Sequence, residues 1–203
     1  YGVDAAFRCS ARAMFAVDLT DPTGPTLVGE DVPSVPDFRG MVAGESLLLV
    51  ADGEYGLRVL APASLSDGLE EVARVGVGGY VRAAAVRPGT ELAYAATYET
   101  RGLEVIDLTD AAALAPLARA DGMPIGRATL TDVVLGPSDL AYVAYGKNCV
   151  CPDAGLFVLD VARSDAPRLL GDVDLAVCDA EGGCRPGYSA AVALAGDLAY
   201  VAD

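Results

Sequence analysis

A short apolar phrase occurs four times along this chain, and its recurrence constrains the fold more than any other feature of the sequence. The phrase is Leu-Ala-Tyr-Val-Ala-Asp at residues 198–203, and earlier copies lie at 47–52, 92–96 and 140–144. The copies begin 45, 48 and 58 residues apart. Repeats with periods in this range indicate that the chain is built from similar supersecondary units packed against one another.

Each copy is the second of four strand-like runs, which we label A to D in chain order. Run A is rich in Ala and Val, and a short turn that contains Gly joins it to run B, as in a β-hairpin. Run C opens with a small residue and then alternates, as in Gly-Leu-Glu-Val-Ile-Asp at 102–107. Run D opens with Pro in three copies, and Pro is tolerated at the start of an edge strand. We therefore predict that A is the inner strand and D the exposed edge of each unit.

Four antiparallel strands in each repeated unit predict an all-β fold, a β-propeller of four-stranded blades. We place a single propeller domain, or a segment of one, over residues 1–203. The blade repeats are assigned to residues 1–37, 38–80, 81–129, 130–188 and, in part, 189–203. The chain therefore carries about four blades' worth of repeats.

Two of these repeats are incomplete in sequence. Residues 13–29 supply only runs C and D, and residues 189–203 supply only runs A and B. The two halves could pair and close a four-bladed ring, which would keep every outer edge short. We favour the alternative, a segment of a larger ring of six to eight blades, because the chain begins at Tyr1 as if cut from a longer or processed protein.

Two further residue types recur at fixed places in the unit. Run C ends in Asp in three copies, and the Asp, Thr and Ser residues that follow can bond nearby backbone N–H groups. We predict that these acids close turns rather than take part in catalysis. The recurring Tyr94, Tyr142 and Tyr200 are predicted to pack between neighbouring blades.

The repeated unit resembles a known family, the bacterial LVIVD-repeat proteins. The closest match is Gly-Leu-Glu-Val-Ile-Asp-Leu-Thr-Asp at 102–110, and the resemblance extends over essentially the whole chain. It implies an extracytoplasmic β-propeller, and it implies no shared catalytic residues. The second repeat, at residues 38–80, departs from the pattern, because Ala61-Pro62 stands where the other copies have Asp and its successor.

Composition excludes several classes of function. The chain carries a formal charge of −15 with only 14 Lys and Arg, which argues against nucleic acid and anionic lipid surfaces as partners. It has no apolar run of the roughly 18 residues that a membrane helix needs, so we expect no membrane insertion in this segment. It contains no His, which removes Ser-His-Asp and Cys-His nucleophiles and His-ligated zinc.

The long connections fall on one side of the predicted blades. Since the strands alternate in direction, the B–C and D–A connections must share one face, and these are the long irregular segments. Loops of this kind on a rigid scaffold are common binding surfaces. We therefore place recognition on this face, with the candidate residues Lys147, Asn148, Asp153, Asp179, Glu181 and Arg185.

All five Cys residues lie in the same long loops, at Cys9, Cys149, Cys151, Cys178 and Cys184. Clustering in loops indicates disulfides and an oxidising, extracytoplasmic compartment. Cys178 and Cys184 have five residues between them and are easily bridged, but a crossed pairing with Cys149 and Cys151 stays open. A four-thiolate zinc site from those four residues is the alternative, although the spacing differs from ordinary zinc knuckles.

These observations favour a non-catalytic scaffold that recognises a protein or small ligand. No catalytic residue, metal ligand or cofactor is assigned. The competing hypothesis is a propeller enzyme, such as a hydrolase, with its site at the mouth of the axial channel. Such a site needs several convergent acids, and the A runs offer mainly Ala and Val, with Arg82 and Asp132 as isolated exceptions.

The predicted disulfides can be tested by mass spectrometry of the intact protein without reductant. Each disulfide should lower the mass by two hydrogens, and peptide mapping should show whether Cys178 pairs with Cys184 or with Cys149 or Cys151. Five free thiols in protein prepared under oxidising conditions would contradict both the disulfides and the compartment that they imply.

Overall fold

The computed structural model describes residues 14–31, 37–44, 47–62, 69–98, 102–110, 113–120, 123, 129–146, 154–175 and 189–202. Over these ranges the chain forms sixteen β-strands and no helix. No helix in this part of the chain is therefore long and apolar enough to span a membrane.

The strands follow the predicted order of runs. The A strands are β3 (Gly40–Ala43), β7 (Val81–Val86), β11 (Thr129–Gly136) and β15 (Ala191–Ala195). The B strands are β4 (Leu48–Ala51), β8 (Leu92–Thr97), β12 (Leu140–Gly146) and β16 (Leu198–Ala202). The C strands are β1 (Met14–Asp18), β5 (Leu57–Pro62), β9 (Leu103–Asp107) and β13 (Gly155–Asp160). The D strands are β2 (Thr26–Asp31), β6 (Leu69–Val75), β10 (Pro116–Ala120) and β14 (Arg168–Asp174).

Three antiparallel sheets contain all four strand types in the order A-B-C-D. They are β3–β6, β7–β10 and β11–β14, which we call blades 2, 3 and 4. Strand β7 packs beside both β3 and β11, and β11 packs beside β15, so the A strands form the inner layer. The D strands are largely exposed. The predicted all-β propeller architecture, with A inside and D at the edge, is confirmed.

The two half-units remain separate. Strands β1 and β2 pair only with each other, and so do β15 and β16, across the residues that the structure describes. The β1–β2 pair packs on blade 2 through Met14, which contacts the cluster of Val50 and Leu60. The β15–β16 pair packs on blade 4 through Val192. Within the described residues, the two halves therefore do not pair to close the four-bladed ring that we considered as an alternative.

Each complete blade buries both of its faces. In β13, Phe157 and Leu159 point towards blade 3 and share a core cluster with Tyr94. The alternate residue Leu156 points the other way and packs against Val192 of β15. Each large side chain buried in this way stabilises the fold by about 1.5–3 kcal/mol. The two-residue alternation seen in the sequence thus reports contacts with both neighbouring blades.

The recurring Tyr residues follow the same rule. Tyr94 is fully buried in the core that blades 3 and 4 share, and Tyr142 packs beside Val192 and Val201, as predicted. Tyr200 differs, because it is largely exposed. It lies on the side of β16 that faces away from blade 4, where the described residues place no further blade, so inter-blade packing of Tyr200 stays a prediction.

The acids that end the C strands close the C–D turns, as predicted. Asp107 accepts the backbone N–H of Thr109 at 2.9 Å, and Asp160 accepts the N–H of Ala162 at 3.0 Å. The hydroxyl of Thr109 also donates to Asp107, and this bond holds the pKa of the Asp107 carboxyl below its usual value. These carboxylates are therefore committed to local turns.

A Gly precedes or begins strand C in blades 2, 3 and 4, because a side chain there would collide with strand D, as Gly56 illustrates. Its φ is 85°, and a Cβ atom built on it would lie 2.2 Å from the carbonyl oxygen of Val75 in the adjacent D strand. Only Gly allows the backbones of C and D to approach this closely at the loop face.

Polar side chains join blades 3 and 4 to their neighbours. The Asp132 carboxylate accepts the backbone N–H groups of Val133, at 2.9 Å, and of Val192 in β15, at 2.8 Å. On the opposite face, Arg87 of blade 3 donates to the carbonyl of Val161 in blade 4. The apolar faces hold neighbouring blades together, and these hydrogen bonds fix the position of one blade relative to the next.

Replacing Asp132 tests the first of these bonds. We expect Asp132→Ala to lower the free energy of unfolding by about 1–3 kcal/mol, because two N–H groups lose their acceptor. Burial raises the pKa of the Asp132 carboxyl above 3.8. The folded chain therefore keeps a proton there after the unfolded chain has lost it, and the associated stability is lost as pH rises through the folded pKa. Urea unfolding of both proteins should show a gap that narrows as the pH rises from below 3.8; a widening gap would contradict this assignment.

Candidate recognition face

The candidate residues from the sequence lie outside the described part of the chain. These are Cys9, Cys149, Cys151, Cys178, Cys184, Lys147, Asn148, Asp153, Asp179, Glu181 and Arg185. Where blades 2 and 3 meet, the structure describes parts of the B–C and D–A connections at residues 37–39, 52–56 and 76–80, together with Tyr98 at the start of the B–C connection of blade 3. Antiparallel pairing places these segments on the predicted face. We call this surface the recognition face.

A buried carboxylate, Asp52, organises the B–C turn of blade 2. Its N–H donates to the carbonyl of Gly56 at 2.9 Å, and its own carbonyl accepts from the N–H of Tyr55 at 2.9 Å. Its side chain, in a residue only 1% exposed, accepts the N–H of Asp37 at 3.0 Å and the Arg74 guanidinium at 3.3 Å. Asp52 thus connects the turn to the D strand of its own blade and to the segment that enters β3.

Glu71 completes an ion network with two arginines. Arg58 donates to Glu71 at 2.7 Å and lies 4.0 Å from Asp52, while Arg74 donates to Glu71 at 3.0 Å on both oxygens. The hydrogen bond from Arg74 is the largest cause that holds the pKa of Glu71 below its usual value. Two acids and two bases in this arrangement fix β5, β6 and the B–C turn as one rigid support.

In strand C of blade 3, the buried charge at the position equivalent to Arg58 has the opposite sign. Glu104 of β9 corresponds to Arg58 of β5, since both follow the Gly-Leu pair that opens strand C. The Arg119 guanidinium in β10 binds the buried Glu104 carboxylate. The same position of the repeat thus holds a buried cation in one blade and a buried anion in the next.

The backbone of the B–C turn approaches the entry segment of β3 closely at Gly53. The residue has a φ of 52°, and a Cβ atom there would lie 2.2 Å from an Asp37 carboxylate oxygen. The carbonyl of Gly53 accepts the N–H of Val81 at 2.9 Å, which links blade 2 to the start of β7. Gly at this position lets Asp37 reach across to the next blade.

Two arginines and two tyrosines gather beside Asp37, and we call Arg39, Tyr80, Arg82 and Tyr98 the Arg–Tyr cluster. The Tyr80 and Tyr98 rings meet edge to face at 6.0 Å. The Arg82 guanidinium lies 5.5 Å from the Tyr98 ring centre and 5.9 Å from that of Tyr80. The Arg39 guanidinium lies 5.1 Å from the Tyr80 ring centre.

Asp37 anchors this cluster to the Asp52 network. It accepts the Tyr80 hydroxyl and lies 2.7 Å from the Arg39 guanidinium. Burial is the main cause that raises the pKa of the Tyr80 phenol, so Tyr80 stays protonated and acts as a donor at neutral pH. Asp37 and the cluster together place two guanidinium groups, one carboxylate and two phenol rings next to one another.

A hollow of about 430 Å³ opens beside the cluster and shares Tyr80 with it. It lies between the B–C turn of blade 2 and the glycine-rich link that leads to β7. Its lining residues are Glu54, Tyr55, Gly56, Gly76, Val77, Gly78, Gly79 and Tyr80. The hollow extends the cluster into a surface with backbone polar groups and two aromatic rings.

The Arg–Tyr cluster was not predicted from the sequence. Arg82 stood out only as a polar exception in an apolar A run, and its partners come from three separate connections. A sequence pattern that could have revealed the cluster is the place of its residues in the repeat. Arg39, Tyr80 and Arg82 all lie within two residues of the start of an A strand. No group of three acidic, Cys or His side chains that could hold a metal ion lies within the described ranges.

Comparison with known proteins identifies the fold. No family model matches the chain, and no curated protein matches it. Solved structures do match. A candidate 6-phosphogluconolactonase from Bacteroides fragilis superposes with a TM-score of 0.58 at 12% identity, over 84% of this chain and 55% of that one.

Two other similar structures are proteins with different names. A chain of the nidogen/laminin complex matches with a TM-score of 0.54 at 12% identity, over 89% of this chain and 60% of its own length. The N-terminal domain of Nup159 matches with a TM-score of 0.54 at 9% identity, over 79% of this chain and 43% of its own length. All three are β-propeller folds, and the present chain spans little more than half the length of the first two.

Removing the Asp52 carboxylate should destabilise the fold. We expect Asp52→Ala to lower the free energy of unfolding by about 3 kcal/mol, since breaking a buried ion pair costs roughly 3–5 kcal/mol and Arg58 keeps Glu71 as a partner. Glu54→Ala, two residues along the same turn and exposed, should change it by no more than about 0.5 kcal/mol. Equal losses in urea unfolding of the two variants would contradict a supporting role for the Asp52 network.

Proposed function

We propose that this chain is a recognition scaffold that binds an acidic group of its partner at the Arg–Tyr cluster. The single observation that carries the proposal is the stacking of two guanidinium groups, Arg39 and Arg82, with Tyr80 and Tyr98 on the recognition face. The partner is a protein or small ligand that carries a carboxylate, sulfate or phosphate group.

The geometry of guanidinium groups supports this ligand class. A guanidinium stacked on a ring keeps its N–H donors in its own plane, where one carboxylate or phosphate can accept two of them. The chain as a whole carries a formal charge of −15 and repels an anion in general, so we expect an anion to bind where guanidinium groups gather. The Asp52 network beneath the cluster holds the segments that carry Arg39 and Tyr80, which lowers the ordering cost of binding.

We also propose that the protein belongs to the LVIVD-repeat type and is exported by a bacterium. The repeated Gly-Leu-x-Val pattern and the Asp-closed C–D turns support the first part, and the loop location predicted from the sequence for all five Cys supports the second. The likeness to the Bacteroides fragilis protein is at 12% identity and concerns the fold, so its activity is not carried over to this chain.

A binding screen with matched variants tests the proposed site. The wild type and an Arg39→Ala/Arg82→Ala double variant would be compared on one array of acidic and neutral oligosaccharides and peptides. Acid-bearing probes should bind the wild type and lose ten- to a hundredfold in affinity with the double variant, since a hydrogen bond to a charged group contributes about 1.5–3 kcal/mol.

Arg163→Ala is the control for that screen. Arg163 is highly exposed and lies in the C–D turn of blade 4, on the opposite face, so it also removes a positive charge but leaves the recognition face unchanged. Its binding should equal that of the wild type. Equal binding by the double variant, or equal loss in the control, would contradict the proposal.

A further inference from the structure

The hollow beside the Arg–Tyr cluster offers polar groups and aromatic rings rather than aliphatic surface. Among its described lining residues only Val77 has an aliphatic side chain, and Val77 is 1% exposed. The accessible lining therefore consists of glycine backbone, the Glu54 carboxylate and the rings of Tyr55 and Tyr80. A hydrocarbon side chain would find little apolar surface here, whereas a ligand rich in hydroxyl groups can bond to the backbone and to Glu54.

The two walls of the hollow are prepared for such a ligand. On the glycine-rich link, Gly78 is exposed, and the N–H groups of Gly78 and Gly79 donate to no backbone carbonyl within the described ranges. On the B–C turn, the Tyr55 N–H donates to the carbonyl of Asp52 at 2.9 Å, and the Tyr55 carbonyl accepts the Arg74 guanidinium at 3.3 Å. The Tyr55 ring, 42% exposed, is thus carried by a fixed backbone opposite a row of open donors.

Gly76, at the wall of the hollow, departs from the pattern of the repeat. In blade 4 the equivalent residue is Asp174, which pairs with the glycine that begins strand C. In blade 3 it is Asp121, which follows the last residue of β10 in the sequence. The register of blade 2 puts Gly76 at this place, directly after Val75. Of the three complete blades, the one with the hollow therefore lacks the acid.

The backbone does not require a glycine at this position. The φ of Gly76 is not in the left-handed region, and a Cβ atom built on it would have no other atom within 4 Å. An Asp here, as in blades 3 and 4, would take up space at the wall of the hollow. Its carboxylate would also compete with an acidic ligand for the nearby guanidinium groups. The absence of a side chain at Gly76 thus favours a ligand that carries an acid and occupies the hollow.

We propose that the hollow binds the pyranose ring of an acidic saccharide whose carboxylate lies on the Arg–Tyr cluster. This inference rests on the function proposed above and names its ligand class. The hollow and the cluster share Tyr80, and the Arg39 guanidinium lies 5.1 Å from the Tyr80 ring centre, so a ring in the hollow has a cation beside it. The C–H face of a pyranose packs on an aromatic ring such as Tyr55, while its hydroxyl groups bond to Glu54 and the glycine backbone. A volume of about 430 Å³ lies within the range of small-molecule sites.

Calorimetric titration of the 203-residue chain tests the proposal. The probes are two acidic saccharides, a galacturonic acid trisaccharide and sialyllactose, with lactose as the neutral saccharide and the peptide Ala-Glu-Ala as an acid without a pyranose ring. At least one acidic saccharide should bind the wild type more tightly than lactose and the peptide. The comparison of the two acidic saccharides distinguishes a uronic acid from a sialic acid as the source of the carboxylate.

Two variants alter the hollow and leave the arginines in place. Gly76→Leu fills space at its wall, and Tyr55→Ala removes an exposed ring, so each should weaken saccharide binding by about tenfold or more. Neither should change the affinity for the peptide. Gly171→Leu is the matched control, because a Cβ atom at Gly171 in β14 also has no atom within 4 Å and lies in blade 4. Gly171→Leu should bind every probe as the wild type does.

The outcomes separate this inference from the proposed function on which it rests. Saccharide affinity that is unchanged in Gly76→Leu and Tyr55→Ala, or lowered equally in Gly171→Leu, would overturn the saccharide site. So would a wild type that binds neither acidic saccharide more tightly than lactose and the peptide. Peptide binding that is lost in Arg39→Ala/Arg82→Ala would in that case still support the acidic-group site. Failure of the proposed function itself would appear as equal binding of every acidic probe by the wild type and the arginine double variant.

Discussion

The structure depends on one constraint, that each four-stranded sheet has two apolar faces and needs a neighbour on both. A sheet that lacks one neighbour leaves the large side chains of that face in water. Stacking a further blade on it buries them, and each buried side chain stabilises the fold by about 1.5–3 kcal/mol. Phe157 and Leu156 show the two directions of this requirement within one strand, since the first packs on blade 3 and the second on β15. The short loops, inner A strands and recurring Tyr residues all follow from this side-by-side stacking.

The fold could be predicted from the sequence because its causes are local and repeated. Gly56 marks the close approach of strands C and D, and Asp107 closes a turn with its own neighbours, so each leaves a trace in one short stretch. The Arg–Tyr cluster leaves no such trace. Arg39, Tyr80 and Tyr98 come together only when two blades are placed side by side, and separation along the chain hides their contact.

The recognition face joins a rigid support to an adaptable surface. Asp52 lies under the face with its charge matched by Arg74, and it holds the backbone through Asp37 and Tyr55. The cluster above it contacts the support through Asp37, so its rings and guanidinium groups are ordered before any partner arrives. Propellers of unrelated sequence can carry different binding surfaces, because their loops differ while the sheets beneath the loops pack in the same manner.

The reversed polarity of blades 2 and 3 has a consequence for folding. Units of similar sequence can exchange strands while the chain folds, and misassembly of this kind is characteristic of repeat proteins. If β10 were to pair with β5, Arg119 would lie opposite Arg58, and β10 carries no acid to neutralise the two cations. In the native pairing each buried charge meets its opposite, Arg58 with Glu71 and Glu104 with Arg119. The buried charges thus favour the native pairing of strands C and D in blades 2 and 3 over the exchange of strands between these two blades.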